Sequence, residues 1–175
     1  MDRNDHKEII KLTVSKSIMS FFQNKEVKVS HPLDLIFPRE RQIRSLIGGL
    51  ETSLGTQVWE PLAKMFAKNN GFSSWYTPNH GEYMESRGEF KGEKAIAIIP
   101  LTFMNLSGRA IAHFVKTEED LKKLIVVHDD LDIPIGEIKE SINRGDGGHN
   151  GVNNIIKVLG SKDFKRIRIG ISPVG

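Results

Sequence analysis

Ile125-Val-Val-His-Asp-Asp-Leu-Asp-Ile133 decides how this chain is read. A run of β-branched residues brings His128, Asp129, Asp130 and Asp132 to the point where a strand should end. Buried strands read as continuous apolar runs, and in open α/β sheets the chemistry sits beyond their carboxyl ends. The segment alone is equally compatible with an acidic loop capping a strand. Its three carboxylates are also hard ligands, so an all-oxygen Mg²⁺ site is a second reading. Against it, neighbouring side chains of an extended segment point in opposite directions. The same alternation sets His128 opposite Asp129, as a buried supporting group rather than a ligand.

Working outward, a periodic pattern of elements surrounds this strand. Gln57 to Asn69 has helical spacing, and Glu82 to Phe90 and Lys94 to Pro100 read as a hairpin around Lys91-Gly92-Glu93. Leu106 to Val115 reads as a helix and Leu121 to His128 as the next strand. Gly136 to Ile142 follows as a strand, Val152 to Leu159 as a helix, and Arg166 to Ile171 as a closing strand. With a first strand over Ile43 to Leu50, the order is β-α-ββ-α-β-β-α-β. That implies an α/β fold: a single three-layer domain with a mixed, mostly parallel twisted sheet. The domain is expected over 42–175. It is preceded over 1–41 by an amphipathic helix (Ile10, Val14, Ile18, Phe22) and a linker broken by Pro32 and Pro38.

Composition narrows the function classes. At 175 residues, 38% hydrophobic and 27% charged, the chain is an ordinary globular sequence of about one domain. No apolar run approaches a membrane span. With no cysteine there is neither a disulfide framework nor a thiolate metal site. Asp2, Asp5 and Glu8 near the start, without an apolar core, make a poor secretory signal; a cytoplasmic location is expected, with a mitochondrial one as the alternative. Net charge is +3, but Lys157, Lys162, Lys165, Arg166 and Arg168 face only Asp163 over the last 25 residues. A basic end beside an acidic loop suits a polyanionic partner, and equally a solvated charged face.

Two further clusters flank the opening stretch. Pro100-Leu-Thr-Phe-Met-Asn-Leu-Ser-Gly108 is a strand end running into a helix start, where Asn105 can cap the helix or offer its amide to a ligand. Arg144-Gly-Asp-Gly-Gly-His-Asn-Gly151 precedes a helix, where small residues let backbone approach a ligand and the helix N-terminus favours negative charge. The plainer reading is a glycine turn capped by Asn150. The loop matches neither the nucleotide-triphosphatase nor the dinucleotide fingerprint.

Taken together, residues 100–108, Val-His-Asp-Asp-Leu-Asp-Ile-Pro-Ile-Gly at 127–136, Gly-Gly-His-Asn-Gly at 147–151 and Asp-Phe-Lys-Arg-Ile-Arg-Ile-Gly-Ile at 163–171 resemble the bacterial-type peptidyl-tRNA hydrolases. The resemblance is strong from Ala95 to Ile171 and weaker from Ile43 to Phe90. It implies cleavage of the ester joining a peptide to the 3′ end of tRNA by a monomeric α/β enzyme without metal or cofactor. It implies that Asp129 keeps a catalytic histidine basic and that Asn105 and Asn150 hold the peptide and the tRNA 3′ end. It further implies that Phe103 and Met104 line the pocket, that His149 stands beside the cleft, and that Arg168 belongs to a tRNA-facing basic surface. The resemblance departs from the family before the first helix. Thr52 stands where the family has a substrate-sensing Asn, and the segment carrying its catalytic His has no counterpart. Two classes therefore remain: an esterase using Asp129 directly or through His80 or His149, and a non-catalytic tRNA-binding descendant.

Overall fold

The computed structural model describes residues 59–90, 92–135 and 137–172. The chain divides into two compact units, Met1–Leu62 and Ala63–Gly175, and the described residues lie almost wholly in the second. The expected N-terminal helix and linker, the Ile43 to Leu50 strand, the boundary at 42 and Thr52 fall outside the described residues.

Helix α1 (Glu60–Asn69) is the expected amphipathic segment, and it ends in a turn where Gly71 takes φ +69°. Phe66 meets Phe72 and Phe90 edge to face, which packs the helix on the hairpin that follows. The hairpin pairs β1 (Tyr83–Phe90) with β2 (Glu93–Pro100) in antiparallel register, Phe90 opposite Glu93 and Tyr83 opposite Pro100. Gly92 at φ +81° supplies the left-handed turn residue that Lys91-Gly92 promised.

A short 3₁₀ turn (Met104–Leu106) and helix α2 (Ser107–Ala112) come next. Leu121 reads as strand in the sequence, whereas the structure puts it in a short helix, α3 (Glu118–Lys123). The cause is a capping box: Thr117 Oγ1 accepts from Asp120 N–H, and the Asp120 carboxylate accepts from Thr117 N–H. Leu121 packs on the core of Ile111, Ile155 and Phe164 all the same.

The second sheet has the order β3-β5-β4, from β3 (Ile125–Pro134), β4 (Ile138–Ser141) and β5 (Lys165–Ser172). β3 runs parallel to β5, with Asp129 opposite Ile169, and β4 runs antiparallel to it. The domain is therefore α/β with a mixed sheet, whose one parallel pairing among the described residues is β3–β5. Ile125 and Val127 are exposed, so this strand is not apolar on both faces as its composition suggested. Helix α4 (Asn150–Leu159) buries Val152 and Ile155 and ends at Gly160, φ +67°.

Helices α2 and α4 pack closely, and Gly108 sets their approach. A Cβ there would meet Asn154 O, Asn154 Oδ1 and Val158 Cγ2, each at 2.8 Å. The Gly108 N–H also donates to Asn154 Oδ1 at 2.8 Å. Gly108→Ala should therefore cost about 1–3 kcal/mol by overpacking, read as a lower urea midpoint with an unchanged slope.

Candidate functional site

The last regular residues of β3 before its register breaks are Asp129 and Asp130. Both His128 and Asp129 are buried, at 6% and 8% exposure. The imidazole of His149 reaches them together. Its Nε2 lies 3.4 Å from Asp129 Oδ1, and its ring meets His128 edge-on with centroids 4.8 Å apart. His128 is the buried supporting group that its place in the strand implies, and its ring and the Asp129 carboxylate both meet His149.

His149 is also the N-cap of α4. Its Nδ1 accepts from Gly151 N–H at 3.1 Å and from Val152 N–H at 3.2 Å. The cap expected of Asn150 belongs to the residue before it. An Nδ1 lone pair held by two backbone donors fixes the neutral ring as the Nε2–H tautomer, which donates toward Asp129. In this arrangement His149 presents Nε2 to Asp129 as the donor.

Electrostatics follow from the same contacts. Burial pushes the Asp129 carboxyl up, but the His149 hydrogen bond and Asp129's own N–H outweigh it. The net displacement is below the ordinary aspartate value, so Asp129 is a carboxylate at neutral pH. Burial, reinforced by His149, lowers His128 to about 4, which leaves that ring neutral. Its Nδ1 sits 2.6 Å from the Asp129 carbonyl and donates to it.

The other carboxylates are committed elsewhere. Asp130 takes Arg168 Nη1 at 2.9 Å and caps its own turn by accepting from Asp132 N–H. Asp129, Asp130 and Asp132 do not converge as a ligand group, so the all-oxygen Mg²⁺ reading is set aside. Arg168 is 8% exposed and paired across the sheet, which corrects its expected place on an open basic surface. The reason is register: Arg168 lies opposite His128 on the central strand, with Asp130 within reach.

The asparagines behave differently. Asn105 does not cap α2, whose N-cap is Leu106, and Asn150 does not cap α4. Both are exposed, and neither side chain bonds to another described residue. The 3₁₀ turn bearing Met104 and Asn105 packs on the first turn of α4; a Cβ on Gly151 would meet Met104 Cγ at 3.0 Å. Phe103, beside them, is 83% exposed. The two flanking clusters of the sequence thus meet through Gly108 and Gly151. His80, the other imidazole considered for Asp129, joins Glu82 and His113 instead.

One contributor escaped the sequence reading. Arg166, 1% exposed, donates Nη1 to the Gly145 carbonyl at 2.7 Å and Nη2 to that of Arg144. From β5 it holds the glycine-rich loop by two of that loop's carbonyls. Its signal was the Arg-Ile-Arg alternation, which also fits a solvated strand face.

The depressed His128 value has a measurable consequence. Between an ordinary value of about 6.5 and the folded value of about 4, the unfolded chain binds a proton that the folded chain refuses. Stability from this group is full above that window, falls as pH drops through it, and is not reduced further below it. Urea unfolding should show a loss of about 2 kcal/mol between pH 7 and pH 5. In His128→Gln that slope should flatten; an unchanged slope would assign the loss to other groups.

Comparison with known proteins places the chain. The peptidyl-tRNA hydrolase family model matches residues 54–174. A peptidyl-tRNA hydrolase of Limosilactobacillus reuteri is 46% identical over 85 residues, 48% of this chain and 46% of that protein. One of Thermoanaerobacter sp. is 39% identical over 124 residues, 70% and 64% of the two chains. The chain spans about half the length of most such relatives. The crystal structure of peptidyl-tRNA hydrolase from Acinetobacter baumannii superposes with a TM-score of 0.57 at 29% identity, covering 65% of this chain and 58% of that one. The chain therefore belongs to the peptidyl-tRNA hydrolase family.

Proposed function

We propose that the chain cleaves the ester between a peptide and the 3′ end of tRNA, with Asp129 as the group that activates water. The observation carrying this reading is a buried, ionised Asp129 held by His149, with uncommitted amides on Asn150, the next residue after His149, and on Asn105, in the turn that packs on α4. Asp129 accepts a proton from water as the water oxygen bonds to the ester carbonyl carbon. The tetrahedral intermediate then collapses, the bond to the 3′ oxygen breaks, and Asp129 returns the proton to that oxygen. Gly151 and Val152 N–H groups are spent on His149, so they are poor candidates for the oxyanion. The amides of Asn105 and Asn150 are the donors left for the oxyanion and the 3′ ribose.

Phe103 and Met104 fit an apolar wall for the peptide or the terminal base. Lys157 and Lys162, both exposed, are cations available to tRNA phosphates in place of the buried Arg168. In this reading the partner is peptidyl-tRNA, and the chain works as a monomer in cytoplasmic translation. Among the described residues no helix is long and apolar enough to cross a membrane.

An N-acetylaminoacyl-tRNA offered to the purified chain tests the proposal. Deacylation should exceed the buffer rate, fall about 10²-fold or more in Asp129→Asn, and fall about tenfold in Asn105→Ala or Asn150→Ala. Release at the buffer rate by the unmodified chain, with tRNA still bound in a salt-sensitive way, would overturn it.

A further inference from the structure

A second cluster of side chains lies apart from Asp129 and serves none of the roles above. His80 sits in the turn before β1, Glu82 immediately precedes that strand, and His113 follows the last residue of α2. Their nitrogen and carboxylate ligand atoms all lie within 4.8 Å of one another. The His80 and His113 rings stack almost parallel, 4° between planes and 4.7 Å between centroids. His113 Nε2 is 2.9 Å from Glu82 Oε2, and Glu82 N–H donates to His80 Nδ1 at 3.1 Å. Beneath them the buried Tyr83 ring touches both imidazoles and packs on Phe114.

We propose that His80, Glu82 and His113 form a surface binding site for a divalent transition metal of the Zn²⁺ class. Two imidazoles and one carboxylate are the ligand set that borderline cations prefer, whereas Mg²⁺ and Ca²⁺ would want more oxygens. Zn–N and Zn–O bonds of about 2.0–2.2 Å put tetrahedral ligand atoms roughly 3.3 Å apart. The cluster must therefore contract, and it can: both histidines are exposed, and the turn at Gly81 (φ +68°) is unobstructed. An ion would take the place of the proton between His113 and Glu82. It would also displace the hydrogen bond that Glu82 N–H makes to His80.

Arg109 is the opposing term. Its Nη2 pairs with Glu82 Oε1, so only Oε2 is offered and the carboxylate coordinates through one oxygen. Three protein ligands leave the remaining position to water. The ion would tie the turn before β1 to the end of α2, the helix whose first turn follows Asn105. Because this site shares no residue with the Asp129 cluster, its fate is independent of the hydrolase reading.

Calorimetric titration of the untagged full chain with Zn²⁺ alone tests the proposal. One ion per chain should bind with micromolar affinity, and His80→Ala, His113→Ala and Glu82→Gln should each weaken it by about tenfold or more. Co²⁺ added to the unmodified protein should shift the ring resonances of His80 and His113 before those of the other four histidines, a readout that needs no variant to fold. Absence of saturable binding below millimolar Zn²⁺ would overturn the site. So would binding unchanged by the His80 and His113 substitutions, or Co²⁺ shifts centred on His128 and His149.

Discussion

One imidazole joins the two halves of the Asp129 cluster. His149 caps helix α4 through Nδ1 and faces Asp129 through Nε2, so helix start and strand end are held by a single planar ring. Each function constrains the other. An N-cap is worth about 1 kcal/mol, while a buried carboxylate left without its hydrogen-bond donor costs about 1–3 kcal/mol or more. The ring is thus held mainly by what Asp129 would lose without it. The capping bonds, in turn, decide which nitrogen carries the proton.

That constraint depends on close backbone approaches elsewhere. Gly108 lets α2 settle against Asn154 of α4, and Gly151 leaves room for Met104 and the His149 ring. Arg166 fixes the loop that leads into His149 by holding two of its carbonyls. The small residues of 147–151 therefore serve packing first, and the exposed amides of Asn105 and Asn150 are what that packing leaves over for a ligand. The buried pair of Arg168 and Asp130 belongs to the same framework. Breaking it would strand a charge beside Asp129.

Much of this was legible in the residues. Hairpin, central strand and final helix follow from alternation, a Lys-Gly turn and helical spacing, because those signals are local. The family was legible because four separated motifs occur in the right order. Less legible was anything set by tertiary contact. Leu121 reads as strand by its apolar neighbours, and only the Thr117–Asp120 capping box makes it helical. Arg168 reads as a surface cation by composition, and its burial depends on β5 lying at the centre of its sheet. Asn150 and His149 are both acceptable caps in sequence; choosing between them needs the position of Asp129. Gathering His80, Glu82 and His113 required the hairpin and α2 to be placed first, since His113 is distant in sequence from the other two.

The central claim is that His149 is a fixed donor which keeps Asp129 ionised and supplies no base of its own. The most direct measurement is the tautomer of that ring by long-range ¹H–¹⁵N correlation at neutral pH. The account predicts a protonated Nε2 and an unprotonated, hydrogen-bonded Nδ1, with the same pattern kept in Asp129→Asn because the capping bonds to Nδ1 remain. A ring protonated at Nδ1 with a free Nε2 lone pair would contradict it, and would make His149 itself the base.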